Sequence, residues 1–377
     1  MKKHAPVFII VFIWICLISG FVRAAALPKQ INQYELRPAQ QLPPLSWEDY
    51  ASGDYQSAFE ASLTDQMPLS QYLKKAYNLS SSFYLKQIID PIAKADEDLV
   101  VNYNGIRLYR GCMLYSLCDL EEGGPLFEEL IESYNQAMDA LPELRFCYYF
   151  IETDAVHDYI RDLSSPVYAY LRERLSVSED QIGRLELRDF SDYCRCFLRT
   201  DHHWSAQGSY RAYLELLGLM KIEDDPLTPA EERSFPGYSG SKATSARLPA
   251  FTEQVQVFFF DYPDLGVSYG NEERFRSGEM TDFTYGEFYG TDEYEVVFDT
   301  GRPERENLLV LGDSYDNAIL KLLASHFGKT YSVDLRYYPS GEEGFDLADY
   351  VQRNEIDRVL IIGSLFFFQD PTFAVRS

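Results

Sequence analysis

The run Asn307-Leu308-Leu309-Val310-Leu311-Gly312-Asp313-Ser314-Tyr315-Asp316-Asn317-Ala318 changes character at its centre. Up to Leu311 it is an unbroken apolar stretch of strand length. After Gly312 come polar residues suited to a turn and the start of a helix. The rest of the C-terminal third repeats this alternation: 316–327 and 345–353 have helical spacing, while 331–338 and 356–362 read as strands. Such a βαβαβ rhythm builds a parallel sheet with helices packed over it, and sites in these sheets lie at the carboxyl ends of strands. Ser314 falls at such an end. The chain is therefore expected to be an α/β protein with a mostly parallel central sheet.

Working outward, Asn104-Gly105 between apolar and aromatic flanks predicts a hairpin turn. An amphipathic helix is expected over 125–141, with Phe127, Leu130, Ile131, Tyr134 and Met138 on one side. A strand buried on both faces follows at 144–151, then helical spacing over 160–175 and 209–220. Nearer the N-terminus, 55–63 and 69–85 are also helix-like. Residues 224–305 differ, being rich in Gly, Pro, aromatic and acidic residues, with expected strands at 254–262, 283–289 and 294–298. They read as a β-rich insertion or subdomain near the mouth of the site.

At 377 residues and 46% hydrophobic content the chain can bury a large core. Its net charge of -25 argues against a nucleic-acid partner, since phosphate binding needs a basic face. Residues 1–26 read as a secretory signal peptide or an N-terminal membrane anchor: Lys2-Lys3-His4, then an apolar run, then Ala24-Ala25-Ala26. Either way the body, 27–377, is expected to be extracytoplasmic. None of the six cysteines shows CxxC spacing, which disfavours a zinc knuckle. Cys194 and Cys196 would share one face of a strand, and buried free thiols are the expectation there.

The second chemistry-bearing stretch is Thr200-Asp201-His202-His203-Trp204-Ser205. A carboxylate two residues from a histidine can fix its tautomer and steady the imidazolium. What that pair lacks is a nucleophile, and Ser314 is the candidate. His203 would take the Ser314 proton, Asp201 would orient the ring, and N–H groups of the following helix turn would hold an oxyanion. In an extended segment Asp201 and His203 share a face that His202 does not. Against this stands the reading of Ser314 as a helix N-cap. A metal held by Asp201, His202 and His203 is a further alternative, disfavoured because adjacent residues rarely converge on one ion. No metal and no cofactor are expected. Asn317 could cap the helix or reach the oxyanion, and Tyr315 and His202 are further candidates for contact with oxyanion or substrate. Phe283, Tyr285 and Tyr289 could stack on sugar faces or pack in the core.

Four pieces together carry a family resemblance. They are Glu35-Leu36-Arg37-Pro38 leading to Asp65-Gln66-Met67-Pro68; Thr200-Asp201-His202-His203-Trp204; Asp313-Ser314-Tyr315-Asp316-Asn317; and Val333-Asp334-Leu335-Arg336-Tyr337-Tyr338. The chain resembles the DHHW protein family, which is similar to the SGNH-hydrolase-like domains of the alginate O-acetylation proteins. The resemblance implies a three-layer SGNH-hydrolase-like fold whose catalytic motifs run in permuted order. It also implies Asp201, His203 and Ser314 as a triad, and Arg336 as a residue lining the pocket, with a salt bridge to Asp334 as its other reading. The function implied is an exported serine-type carbohydrate O-acetyltransferase or acetylesterase. Its partners would be a polysaccharide or acylated sugar and an acyl-donor membrane protein. The competing expectation is a non-catalytic polysaccharide-binding or assembly protein that retains the motif.

Overall fold

The computed structural model describes residue 14 and residues 29–32, 37–42, 44–67, 70–117, 124–155, 157–160, 166–269, 283–290, 293–339 and 344–376. Residues 1–26, which read as a signal peptide or anchor, lie outside the described residues, apart from Trp14. Among the described residues no helix is long and apolar enough to cross a membrane. The chain divides into two compact units, 1–88 with 247–250, and 89–246 with 251–377.

In the first unit the helix Asp54–Gln66 ends in two buried polar residues that organise what precedes it. The Gln66 side chain accepts from Lys29 N at 2.8 Å and donates to the carbonyls of Lys29 and Gln40. Asp65 accepts from Gln40 N at 2.9 Å. These bonds fix the short ladder of Ile31–Asn32 against Arg37–Pro38. Burying polar groups this way is tolerable because each finds a partner.

The second unit is built on a seven-stranded sheet. Its order is Gly266–Tyr269, Glu295–Asp299, Lys329–Val333, Leu308–Gly312, Arg358–Gly363, Arg145–Phe150 and Ile182–Arg184. The first two pairings are antiparallel and the remaining four parallel. Alternation along the central strands explains the layers. Leu308, Val310, Leu360, Ile362, Cys147 and Tyr149 face one core, with the helix Ala206–Leu219 over it. Leu309, Leu311, Val359, Ile361, Phe146 and Tyr148 face the other, under the helices Gly124–Ala140, Pro166–Arg174 and Leu347–Arg353. Every residue of Leu308–Gly312 is buried, as expected of a parallel strand covered on both sides. Each buried Leu or Val there is worth about 1.5–3 kcal/mol.

A three-stranded antiparallel sheet, Val100–Tyr103, Ile106–Tyr109 and Cys112–Tyr115, turns twice through pairs at positive φ. These are Asn104-Gly105 at 45° and 77°, and Arg110-Gly111 at 47° and 77°. Two positive angles make the turns that match strand twist.

Three local expectations change. Residues 285–289 form a helical turn, Tyr285–Tyr289, because Tyr285 and Tyr289 meet at 4.9 Å across i, i+4 within an aromatic cluster. Cys194 and Cys196 lie on a helix, Phe190–Cys196, begun by the Asp189 side chain accepting from Asp192 N. The helix expected over 316–327 is a 3₁₀ turn, Asp316–Ala318, followed by the short helix Leu320–Ala324. Within 224–305, Pro229–Tyr238 pairs with Glu253–Phe260, while Gly266–Tyr269 and Glu295–Asp299 join the central sheet.

Candidate active site

The Asp-His-His segment is a closed loop. Phe197 and Trp204 form an isolated antiparallel bridge, Leu198 N donates to His203 O, and Ser205 N donates to Cys196 O. Trp204 is buried beneath it, edge-on to Tyr315. On the outer side Glu253 accepts from the amides of Arg199 and Thr200 and from the Thr200 hydroxyl. Gly240 comes so close that a Cβ there would lie 2.4 Å from Asp201 Cβ, so only glycine fits.

This packing collects donors on one carboxylate. Asp201 accepts from His203 Nδ1 at 2.7 Å, His203 N at 3.1 Å, Tyr238 OH at 2.7 Å and Ser241 N at 2.8 Å. Burial pushes its pKa up, but these bonds and the neighbouring imidazoles more than offset it and hold the carboxyl well below the usual range. An ionised Asp201 is acceptor-only, so His203 Nδ1 carries the proton and Nε2 is left to accept. That nitrogen meets Ser314 Oγ at 2.9 Å. The His203 ring is further fixed by stacking on Tyr285 at 3.8 Å and 12°.

Ser314 follows the strand Leu308–Gly312. Gly312 is needed for the turn, since a Cβ there would lie 2.3 Å from Asp316 Oδ2. The N-cap reading of Ser314 fails: the 3₁₀ turn has Tyr315 at its cap position without a side-chain bond, and Tyr315 N donates to Asp313 Oδ1. One further amide of that turn is engaged, Asp316 N donating to Asp313 O at 3.0 Å. Burial pushes the Asp313 carboxyl up to about 6.

A cavity of about 450 Å³ opens beside Ser314, lined also by Thr153, His202, Asp313, Arg336 and Ser364. Residues just beyond the strands Arg145–Phe150, Leu308–Gly312 and Arg358–Gly363 thus meet at the carboxyl edge of the sheet. Its size suits a sugar-sized ligand. Arg336 lines it while holding Asp334 with Nε at 2.9 Å and Nη2 at 2.6 Å. His202 packs against His203 with ring centres 3.8 Å apart and planes tilted by 37°, and meets Ser241 Oγ through Nδ1 at 2.6 Å. Burial, with the adjacent His203 imidazole, holds its pKa below the ordinary imidazole value. The Tyr315 hydroxyl donates to His202 O at 2.8 Å, bracing the loop against the turn. Asn317 lines a separate aromatic cavity of about 290 Å³, with Tyr210, Phe258, Phe260, Tyr262 and Tyr289. The metal alternative has some geometric footing, since donor atoms of Asp201, His202 and His203 lie within 4.8 Å of one another. All three are engaged with protein groups instead.

Sequence reasoning missed Tyr238, Gly240 and Ser241, and it named Tyr285 only for sugar stacking or core packing, not for its contact with His203. The Gly237-Tyr238-Ser239-Gly240-Ser241 run marks a turn, but nothing in it says which carboxylate the turn will face.

No protein-family model matches the sequence, and no curated protein does. Among solved structures, a DHHW family protein from Eubacterium siraeum is similar with TM-score 0.57 at 16% identity, over 73% of this chain and 95% of that one. The chain has the fold of a DHHW family protein. Bacillus cereus PatB1 with a sulfonyl adduct is similar with TM-score 0.52 at 15% identity, over 74% of this chain and 99% of that one. The O-acetyltransferase domain of Pseudomonas putida AlgJ matches with TM-score 0.41 at 14% identity, over 73% and 96%.

Proposed function

We propose that this DHHW-fold protein is an exported serine-type O-acetyltransferase or acetylesterase acting on a cell-envelope or exported polysaccharide. The observation that carries the reading is the relay from Asp201 to His203 at 2.7 Å and from His203 to Ser314 at 2.9 Å. In the proposed reaction, Ser314 Oγ attacks an acetyl carbonyl as His203 Nε2 takes its proton, and the imidazolium returns that proton to the leaving oxygen. Asp201 stays ionised and steadies the charged ring. The acetyl-serine then passes its acyl group to water or to a sugar hydroxyl, His203 again removing the proton. Arg336 is assigned to the substrate or the oxyanion from the cavity wall. A membrane protein donating acyl groups is the partner the transferase direction calls for.

In this reading 27–377 is an SGNH-hydrolase-like domain with its motifs in permuted order, Asp201 and His203 preceding Ser314, and 224–305 is an insertion or subdomain. The ladder of Pro229–Tyr238 with Glu253–Phe260, separate from the central sheet, supports an added unit over 229–260 only, because Gly266–Tyr269 and Glu295–Asp299 are strands of the central sheet.

Turnover of a chromogenic acetyl ester by the purified body is the test. Hydrolysis that disappears in Ser314→Ala supports the enzyme, and hydrolysis unchanged in that variant refutes it. The aromatic cavity beside Asn317 favours a second reading, a polysaccharide-binding protein. Glycan binding without ester turnover in the unmodified protein, unaltered in Ser314→Ala, selects it.

A further inference from the structure

We propose that Cys112 and Cys194 form a disulfide that fastens the strand Cys112–Tyr115 to the helix leading into the Asp201–His203 loop. Their Sγ atoms face each other 2.6 Å apart, although 82 positions separate them in the chain. Spacing alone pairs neither residue, and the bond is visible only once strand and helix are packed. The backbones are already in register for it: Met113 N donates to Arg199 O at 2.8 Å, just past the end of the helix. Tyr115 N donates to Asp154 Oδ2 at 2.6 Å at the other end of the strand. Asp154 in turn holds the fully buried Lys242 at 3.0 Å, beside Ser241 of the site. The strand is thus held both to the chain just past the helix and to Asp154. Cys147 and Cys196 are buried with no such sulfur contact among the described residues.

The surroundings also set the order of events. Cys194 is half-buried and Cys112 buried. The two thiols share one contact in which either sulfur can donate. Cys194, the more exposed, is the sulfur a small disulfide reaches first, and its thiolate enters. With a small disulfide such as oxidised glutathione as oxidant, Cys194 Sγ attacks one of its sulfurs and expels a glutathione thiolate. Cys112, losing its proton, then attacks Cys194 Sγ and expels the second. Two protein thiols become one S–S bond, and one small disulfide becomes two thiols. This inference does not depend on the acyl-transfer reading. A cross-link of this span restricts mainly the unfolded chain, and here it also braces the loop that carries Asp201 and His203.

The test is peptide mapping of the full chain after incubation with excess oxidised glutathione, denaturation in an alkylating agent and digestion without reductant. The expected product is a pair of peptides joining Cys112 to Cys194, two hydrogens lighter than their sum and separated by dithiothreitol. Cys194→Ser, the less buried change, should abolish the pair. Reduction should lower Tm by about 5 °C in the unmodified protein and leave Cys194→Ser unmoved. Alkylation of both residues after oxidation would overturn the assignment. So would a cross-link from either one to another cysteine, such as Cys118.

Discussion

Asp201 and Asp313 belong to the two segments that meet at the site, and their carboxyls are held in opposite ways. Asp201 accepts from two donors of its own loop, on His203, and from Tyr238 and Ser241 of a second turn, and stays ionised. The turn gives the Asp313 carboxyl a hydrogen bond from Tyr315 N, and burial raises it to about 6. Two carboxylates of one residue type thus acquire different roles from their surroundings. The loop keeps a fixed negative charge where an imidazolium would form. Beside Ser314 the turn carries a carboxyl that gives up its charge only as pH falls through about 6. That division of labour is the main thing the fold adds to the motifs.

Removing the relay itself should break the comparison most severely. Ser314→Ala and His203→Ala should each lower acetyl-ester turnover by roughly ten-thousand-fold or more, with Tm nearly unchanged for the serine variant. Steady-state kinetics and a thermal melt check both. Asp201→Asn should cost turnover on a similar scale, because the amide also presents a donor and lets His203 take the wrong tautomer. It should cost stability as well, about 2–4 kcal/mol at neutral pH. The sign follows from the depressed pKa: Asp201 stabilises the fold above the ordinary carboxylate value of about 4, and that contribution fades as pH falls below it. Urea melts of both proteins should therefore converge as the solution is acidified. A gap that stays constant would mean the hydrogen bonds matter and the charge does not.

Smaller changes sharpen the contrast. Gly240→Ala forces a Cβ against Asp201 and should destabilise by about 1–3 kcal/mol while lowering turnover, read by melt and kinetics together. Tyr238→Phe removes one of four donors and should reduce turnover by about tenfold. Asp313→Asn should have the smallest effect. A raised pKa means the folded form is favoured below the ordinary value and loses that advantage as pH rises through about 6. Between pH 5 and 7 the unmodified protein should lose on the order of 1 kcal/mol that the asparagine variant keeps, allowing for solvent screening.

Much of this was legible in the chain because the physics is local. The apolar run ending at Gly312 could only be a buried strand, and a serine after it had to lie at the sheet's carboxyl edge. The closed loop at Asp201 was legible as a motif, but its donors were not. Tyr238 and Ser241 come from a turn whose partner is fixed by the Glu253 bonds and by the missing Cβ of Gly240. Tyr285–Tyr289 misled because aromatic residues favour strands, and here ring packing with neighbours prevailed. The helix after Ser314 was shorter than its spacing suggested. The amides of Tyr315 and Asp316 turn back to Asp313.

The most direct measurement of the central claim is covalent labelling of the full chain by a fluorophosphonate or an aryl sulfonyl fluoride, followed by mapping of the modified residue. The account predicts one adduct, on Ser314, absent from Ser314→Ala and formed far more slowly in His203→Ala. An adduct confined to another residue, or labelling of Ser314 at the same rate without the imidazole, would contradict it.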